Sequence, residues 1–175
     1  IYIFFGDSMK KLLVYLKNYK KESVLAPLFK MLEATFELIV PLVVASIIDN
    51  GIKNGDLTLV IRKAGTLVLL AVVGMIAAIT AQYFAAKAAT GFATEVRHSL
   101  FEKIQSFSFT ELDNIGTSTL ITRMTNDVNQ AQGGVNMVLR LFLRSPFIVV
   151  GAFVMAMSID FKAGLIFLLV IAVLS

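Results

Sequence analysis

Phe107–Val128, FSFTELDNIGTSTLITRMTNDV, decides how this chain is folded, because it is a polar, helix-compatible tip set between two strongly apolar helices. Reading back from the tip, Ala64 to Ser106 holds Gly65, Gly74 and Gly91 as its weak helix residues and contains no proline. About forty residues can therefore run as one helix, on the order of 60 Å and roughly twice the hydrocarbon thickness of a bilayer. Its first part, AGTLVLLAVVGMIAAITAQYFAA, is apolar, whereas its second, TEVRHSLFEKIQSF, alternates charged and apolar residues at helical spacing. One rod thus crosses lipid and continues into water. From Ser118 onward the order is reversed, with polar LITRMTNDVNQAQ followed by apolar FLRSPFIVVGAFVMAMSI. Two adjacent rods leave the membrane together, joined by a short turn near Asp113 to Thr117. Such a hairpin can carry force to a partner in the water phase.

The composition agrees. The 175 residues are 57% hydrophobic, with a mean hydropathy of +0.80. Soluble domains carry roughly 45–50% apolar residues, so the excess indicates an integral membrane protein. With no cysteine in the chain, disulfides, thiol catalysis and Cys-ligated metals are excluded. The net charge of +4 and pI near 9.4 do not require nucleic acid, because the basic residues sit where membrane topology places them.

Four apolar segments are expected: Val24 to Ile48, Ala64 to Ala86, Leu141 to Ile159, and one beginning near Ala163. The last reaches Ser175 after about a dozen residues, where a span needs ~20, so the expectation is a piece of a longer protein. Lys10, Lys11, Lys17, Lys20 and Lys21 precede the first span, and the hairpin carries Lys87, Arg97, Lys103, Arg123, Arg140 and Arg144. The opposite side has Lys53, Arg62, Lys63 and Lys162, which assigns the amino terminus and the hairpin to the cytoplasm. MKKLLVYLKNYKK, Met9 to Lys21, places Leu12, Tyr15, Leu16 and Tyr19 at helical spacing among lysines, the pattern of a helix lying in the membrane interface. Met9 resembles a natural start, which makes residues 1–8 an upstream extension.

Ionisable residues inside spans need partners. Lys30, Glu33 and Glu37 share one helix face in the first span, and Arg140 and Arg144 share one leading into the third. Facing lipid costs about 2.5 kcal/mol or more per charge near the bilayer centre, so both sets should face protein or water. Two readings stay open. Glu33 and Glu37 line a wet cavity that attracts cationic or amphipathic cargo, or they pair with Lys30, Arg140 or Arg144 between helices; the second is favoured. Pro41 and Pro146 are expected to kink their spans. Gly74, Ala77, Ala78, Ala81, Ala85 and Ala88 would let another helix approach closely. His98, beside Glu95 and Glu102, reads as a solvated surface residue, and Arg123 with Asp127 as an intrahelical pair. There is no G-x-x-x-x-G-K-[ST] loop, no H-E-x-x-H and no nucleophile with its base, so no catalytic, cofactor-binding or metal-binding residue is assigned.

From about Met9 onward the chain resembles the transmembrane domain of bacterial ABC exporters, most of all a subunit of the heterodimeric multidrug type. The basic interfacial helix, PLVVASIIDNGIKNGD at the outer end of the first span and FSFTELDNIGTSTLITRMTNDVNQ carry the resemblance. It implies that Gly116, Leu120, Arg123, Asn126 and Asp127 form the motif of the first cytoplasmic loop. It further implies a coupling helix near Thr110 to Ile115, whose Glu111, Leu112, Asp113, Asn114 and Ile115 contact a nucleotide-binding domain as transmitters, not catalysts. Many members have an aromatic pair and a proline ahead of that glycine; this chain has Phe107, Phe109, Leu112 and Ile115 without proline, which leaves the helix boundaries open by several residues.

The fold so implied is an all-α, polytopic membrane helical bundle. An interfacial elbow helix over 9–22 precedes a partial transmembrane domain over 23–175. Its spans cover about 24–48, 64–86 with a cytoplasmic extension to 108, 118–159 including an extension, and a truncated 163–175. The nucleotide-binding domain, with its ATP and Mg, falls outside this chain. The implied partners are nucleotide-binding domains, a second half-transporter more often different than identical, the lipid bilayer of a bacterial plasma membrane, and amphipathic small-molecule cargo, with no nucleic acid. Rival readings are a small secondary carrier, a sensor's membrane domain, or an anchoring protein whose hairpin binds a cytoplasmic complex. Carriers keep aqueous loops short, so the long rods count against the first.

Overall fold

The computed structural model describes residues 14–159 together with Phe161 and Gly164. The extension expected over 1–8, the start of the interfacial helix and, Gly164 apart, the fourth apolar segment lie outside them. Every regular element among the described residues is helical. A 3-10 turn, Val14–Tyr19, leads into α1 (Lys20–Ser46), which ends in a π-helical segment, Ile47–Ile52. Then follow α2 (Leu57–Gln105), α3 (Phe109–Ile115), α4 (Thr117–Thr122), a second π segment (Arg123–Asp127), α5 (Val128–Leu141) and α6 (Arg144–Ile159). Three helical runs have the length and composition to cross a membrane: Val14–Ile52, Leu57–Gln105 and Thr117–Ile159.

Local chemistry explains these boundaries. α2 starts before Ala64 because the Asp56 carboxylate accepts the Leu59 N–H at 3.0 Å, capping a helix whose next residues contain no breaker. Its 49 residues span on the order of 70 Å. α2 ends where the Ser106 N–H is shared between the Glu102 and Lys103 carbonyls and Phe107 bonds back to Ile104, a tightened last turn. α1 continues through both Pro27 and Pro41 without a break. Pro146 acts differently: it lacks the N–H that the Phe142 carbonyl would accept, and the chain leaves the helix at Phe142–Leu143 before α6 begins.

The chain forms two compact parts. In the first, described over 14–27 and 82–140, Ala26, Ala85, Ala88, Ala89, Phe92, Ala93 and Val128 are buried. The small residues of α2 permit the close approach that alanine and glycine allow between membrane helices. Gly91 shows it most directly, since a β-carbon there would collide with the Tyr19 ring. Polar links join the same segments: Glu22 with Lys87 (2.9 Å), Asn18 donating to Glu95 (3.3 Å) and Arg97 donating to Asn129 (2.6 Å).

In the second part, described over 28–81, 141–159, 161 and 164, Ala34, Val43, Ala77 and Ala81 are buried. A β-carbon on Gly151 would strike Leu38, so α6 rests closely on α1 at that point. The larger apolar residues point outward. Of the most apolar eighteen-residue stretch in each of the three long runs, 11%, 11% and 0% is buried. Apolar faces so open suit lipid or further helices, not water.

Candidate functional site

The tip between α2 and α4 is built on a reciprocal cap. Ser108 is extended (φ −71°, ψ 159°), its Oγ accepts the Glu111 N–H, and its own N–H donates to Glu111 Oε2 at 2.8 Å. The Ser108 hydroxyl also donates to that carboxylate at 2.9 Å. The N–H of Ser108, then its hydroxyl, hold the Glu111 carboxyl below the ordinary glutamate range. The short helix therefore starts at Phe109, ahead of the expected Thr110, and S-x-x-E at 108–111 is the sequence signal that marks it.

The turn expected over Asp113 to Thr117 is narrower than that. Asp113, Asn114 and Ile115 are helical, and the reversal is concentrated at Gly116, whose φ of +82° and ψ of 134° strain any L side chain. Its N–H closes α3 by donating to the Leu112 carbonyl at 2.9 Å, and its carbonyl accepts the Leu120 N–H. Of the expected contact residues, Glu111, Asp113, Asn114 and Ile115 are exposed and Leu112 is half-buried. Phe109, which the sequence reading left out of that set, is 89% exposed at the first position of the helix.

Beyond Gly116, Leu120 is half-buried and Asn126 is exposed. Arg123 and Asp127 lie 4.0 Å apart, both on the π segment, and with Ser118, Thr119 and Thr122 they line an open hollow of about 330 Å³. That π segment was not legible from residue spacing. Such expansions of a helix are frequent at functional positions.

The charges within the apolar runs find partners. Lys30 Nζ lies 2.6 Å from Glu33 Oε2, with both side chains largely buried. Arg144 Nη2 donates to both oxygens of Glu37 at 2.8 Å, tying α6 to α1. Arg140 behaves differently: its Nε is buried without a hydrogen-bond partner, as are Arg144 Nε and Asn136 Oδ1. Glu33 and Glu37 also line a hollow of about 290 Å³ with Phe36, Val40, Leu70, Gly74 and Met75. Both carboxylates thus border open space while each is already engaged by a cation. His98 is exposed, 3.4 Å from Glu102. Among the described residues no group of three His, Asp or Glu side chains could hold a metal ion.

Residues 23–175 match the sequence model of the family described as the ABC transporter transmembrane region. The chain belongs to this family. Among similar proteins, the uncharacterized ABC transporter ATP-binding protein YfiB of Bacillus subtilis is 36% identical over 166 residues, covering 95% of this chain and 29% of that protein. An uncharacterized ABC transporter ATP-binding protein of Mycobacterium tuberculosis is 32% identical over 161 residues, 91% of this chain and 27% of its own length. A Rickettsia felis protein provisionally named an export ATP-binding/permease protein is 23% identical over 164 residues, 94% of this chain and 28% of that one. This ABC transmembrane region spans under a third of the length of the curated relatives it matches. All-helical and largely apolar, it has the fold class that the sequence led one to expect.

Proposed function

We propose that this ABC transmembrane region belongs to an ATP-driven exporter of amphipathic small molecules, forming part of the transport pathway and passing motion through the Phe109–Ile115 helix. One observation carries the reading: a short, capped helix stands exposed between two helical runs, each longer than a bilayer requires, in a member of a transporter family. Glu111, Leu112, Asp113, Asn114 and Ile115 meet a nucleotide-binding domain, while Gly116, Leu120, Arg123, Asn126 and Asp127 fix the angle at which α3 is presented. ATP and Mg bind in that other domain. Export as the direction draws support from the name given to the Rickettsia relative.

In this reading residues 23–175 are part of a membrane domain whose elbow segment ends near Glu22, and whose amino terminus and tip face the cytoplasm of a bacterial cell. A second, non-identical half completes the pathway. Lys30 with Glu33 and Glu37 with Arg144 serve as an intrahelix and an interhelix ion pair, a reading supported by their separations of 2.6 and 2.8 Å over direct capture of cationic cargo.

The test is Ile115→Arg, with Asn114→Arg beside it, in the full-length assembly. The expected result is near-normal membrane insertion and ATP hydrolysis with transport reduced about tenfold or more, the loss of roughly 1.4 kcal/mol of coupling. Transport and cargo-stimulated hydrolysis that both stay normal would contradict the assignment.

A further inference from the structure

On α2, Tyr83, Lys87, Thr90 and Thr94 follow one another at spacings of four, three and four, so they share a helix face. With Tyr19, Ala86 and Gly91 they line a groove of about 410 Å³. The groove exists because Gly91 has no side chain, which lets the Tyr19 ring lie against α2 where a β-carbon would collide with it. Tyrosine rings form two of its borders, and Tyr83 is 61% exposed.

The charge around this place is net positive. Over residues 14–27 and 82–95, four lysines (Lys17, Lys20, Lys21 and Lys87) stand against two carboxylates, Glu22 and Glu95, and Asn18 donates to Glu95 at 3.3 Å. Glu22 engages Lys87 at 2.9 Å, but an ammonium has three protons, and two remain for another acceptor. Thr90 Oγ accepts from Gln132 at 3.4 Å and keeps its own proton to donate. Thr94 is already committed, donating to the Thr90 carbonyl. A lysine and a hydroxyl one helical turn apart, framed by tyrosines, match a phosphate flanked by a glycerol. The helix that bears them is long and apolar enough to cross a membrane, and tyrosine with lysine is the pairing found at the level of lipid headgroups.

We propose that this groove seats the headgroup of an anionic phospholipid, its phosphate held by Lys87 Nζ and the Thr90 hydroxyl and its glycerol lying between Tyr19 and Tyr83. A lipid in this position bridges the segment ahead of α1 to α2, and so links the elbow to the rod that ends at the tip. The seat stands whether or not the tip meets a nucleotide-binding domain.

The experiment uses the full-length protein in nanodiscs of phosphatidylcholine with a fixed fraction of phosphatidylglycerol. Native mass spectrometry then counts the phosphatidylglycerol retained on the protein. Lys87→Gln should lower retention about fivefold, as expected for one basic residue at an anionic membrane surface, and Lys87→Arg should preserve it. Thr90→Val, which leaves the ion pair intact, should also lower it. Glu22→Gln, which removes the competing carboxylate, should raise it. A merely structural ion pair would not produce opposite signs at its two ends. Retention unchanged in Lys87→Gln and Thr90→Val would overturn the proposal, as would Lys87→Gln and Glu22→Gln lowering it together with Tm. Displacement of the lipid by an equal concentration of glycerol 3-phosphate would show a site for soluble phosphate instead.

Discussion

Ser108 and Glu111 satisfy one another at the start of α3, each supplying an acceptor for the other's backbone N–H. Replacing Ser108 by alanine should destabilise the tip helix by about 1 kcal/mol, measured as faster amide exchange confined to Phe109–Ile115. The cap is also sensitive to acid. Because the folded-state pKa of Glu111 is lowered, its contribution is fully present above the ordinary glutamate value near 4.5 and is lost as pH falls through the lower folded value. The protection factors of the tip amides, corrected for the intrinsic pH dependence of exchange, should therefore be flat from pH 7 to about 5 and fall below that, and Glu111→Gln should remove the fall. At the other residue pair, Arg144→Gln or Glu37→Gln should each lower stability. About 1 kcal/mol is expected, held down by water at the half-exposed Glu37, against the 2.5 kcal/mol or more of an unpaired charge in lipid. Exchanging the two, Glu37→Arg with Arg144→Glu, should restore most of the loss in thermal unfolding; no recovery would show that the contact contributes little. That Glu37 pairs with Arg144 and not Arg140 could not be read from sequence. The two arginines stand four residues apart in the sequence, and the turn at Phe142–Leu143, which spacing does not show, leaves Arg140 at the end of α5 and Arg144 at the start of α6.

The long helical runs are unlike one another. Leu57–Gln105 is one continuous helix, whereas Thr117–Ile159 contains a π segment at Arg123–Asp127 and a turn at Phe142–Leu143. Gly133 and Gly134 add a soft point, since both sit inside α5 with no atom near the position of an added β-carbon. Packing does not demand glycine there, so each weakens the helix by about 0.8–1 kcal/mol relative to alanine. Gly133→Ala and Gly134→Ala should raise local stability by that amount per site, seen as slower exchange in α5. Gly91→Ala, by contrast, should lower Tm, because Tyr19 occupies the space. The two rods and the polar tip were legible in the sequence because apolar content and charge change along them at helical period. Less legible were the breaks. Pro146 announces the turn at Phe142, yet Pro41 lies inside an unbroken α1, and nothing in residue spacing distinguishes a π segment from ordinary helix. The helix start at Leu57 was readable in principle from Asp56 as a cap. It was obscured by Arg62 and Lys63, which set the end of the apolar stretch and not the end of the helix.

At the scale of the molecule, each of the two compact parts exposes large apolar residues and buries mainly alanines, so little holds either together in water. Their helices are ordered by small-residue contacts, a few ion pairs and whatever surrounds them in the membrane. The proposed mechanism draws on the unbroken α2, because a continuous helix ending at an exposed tip transmits displacement along its length. The central claim is that the tip seats on a nucleotide-binding domain. It is tested most directly by disulfide cross-linking in membranes: Asn114→Cys in this region, which has no cysteine of its own, paired with single cysteines on the surface of that domain in the full-length assembly. The account predicts a cross-link from Asn114→Cys, absent from a control cysteine at Thr66, with a yield that changes when ATP is added. Equal cross-linking from both positions, or none from Asn114→Cys in an assembly that hydrolyses ATP and transports, would contradict it.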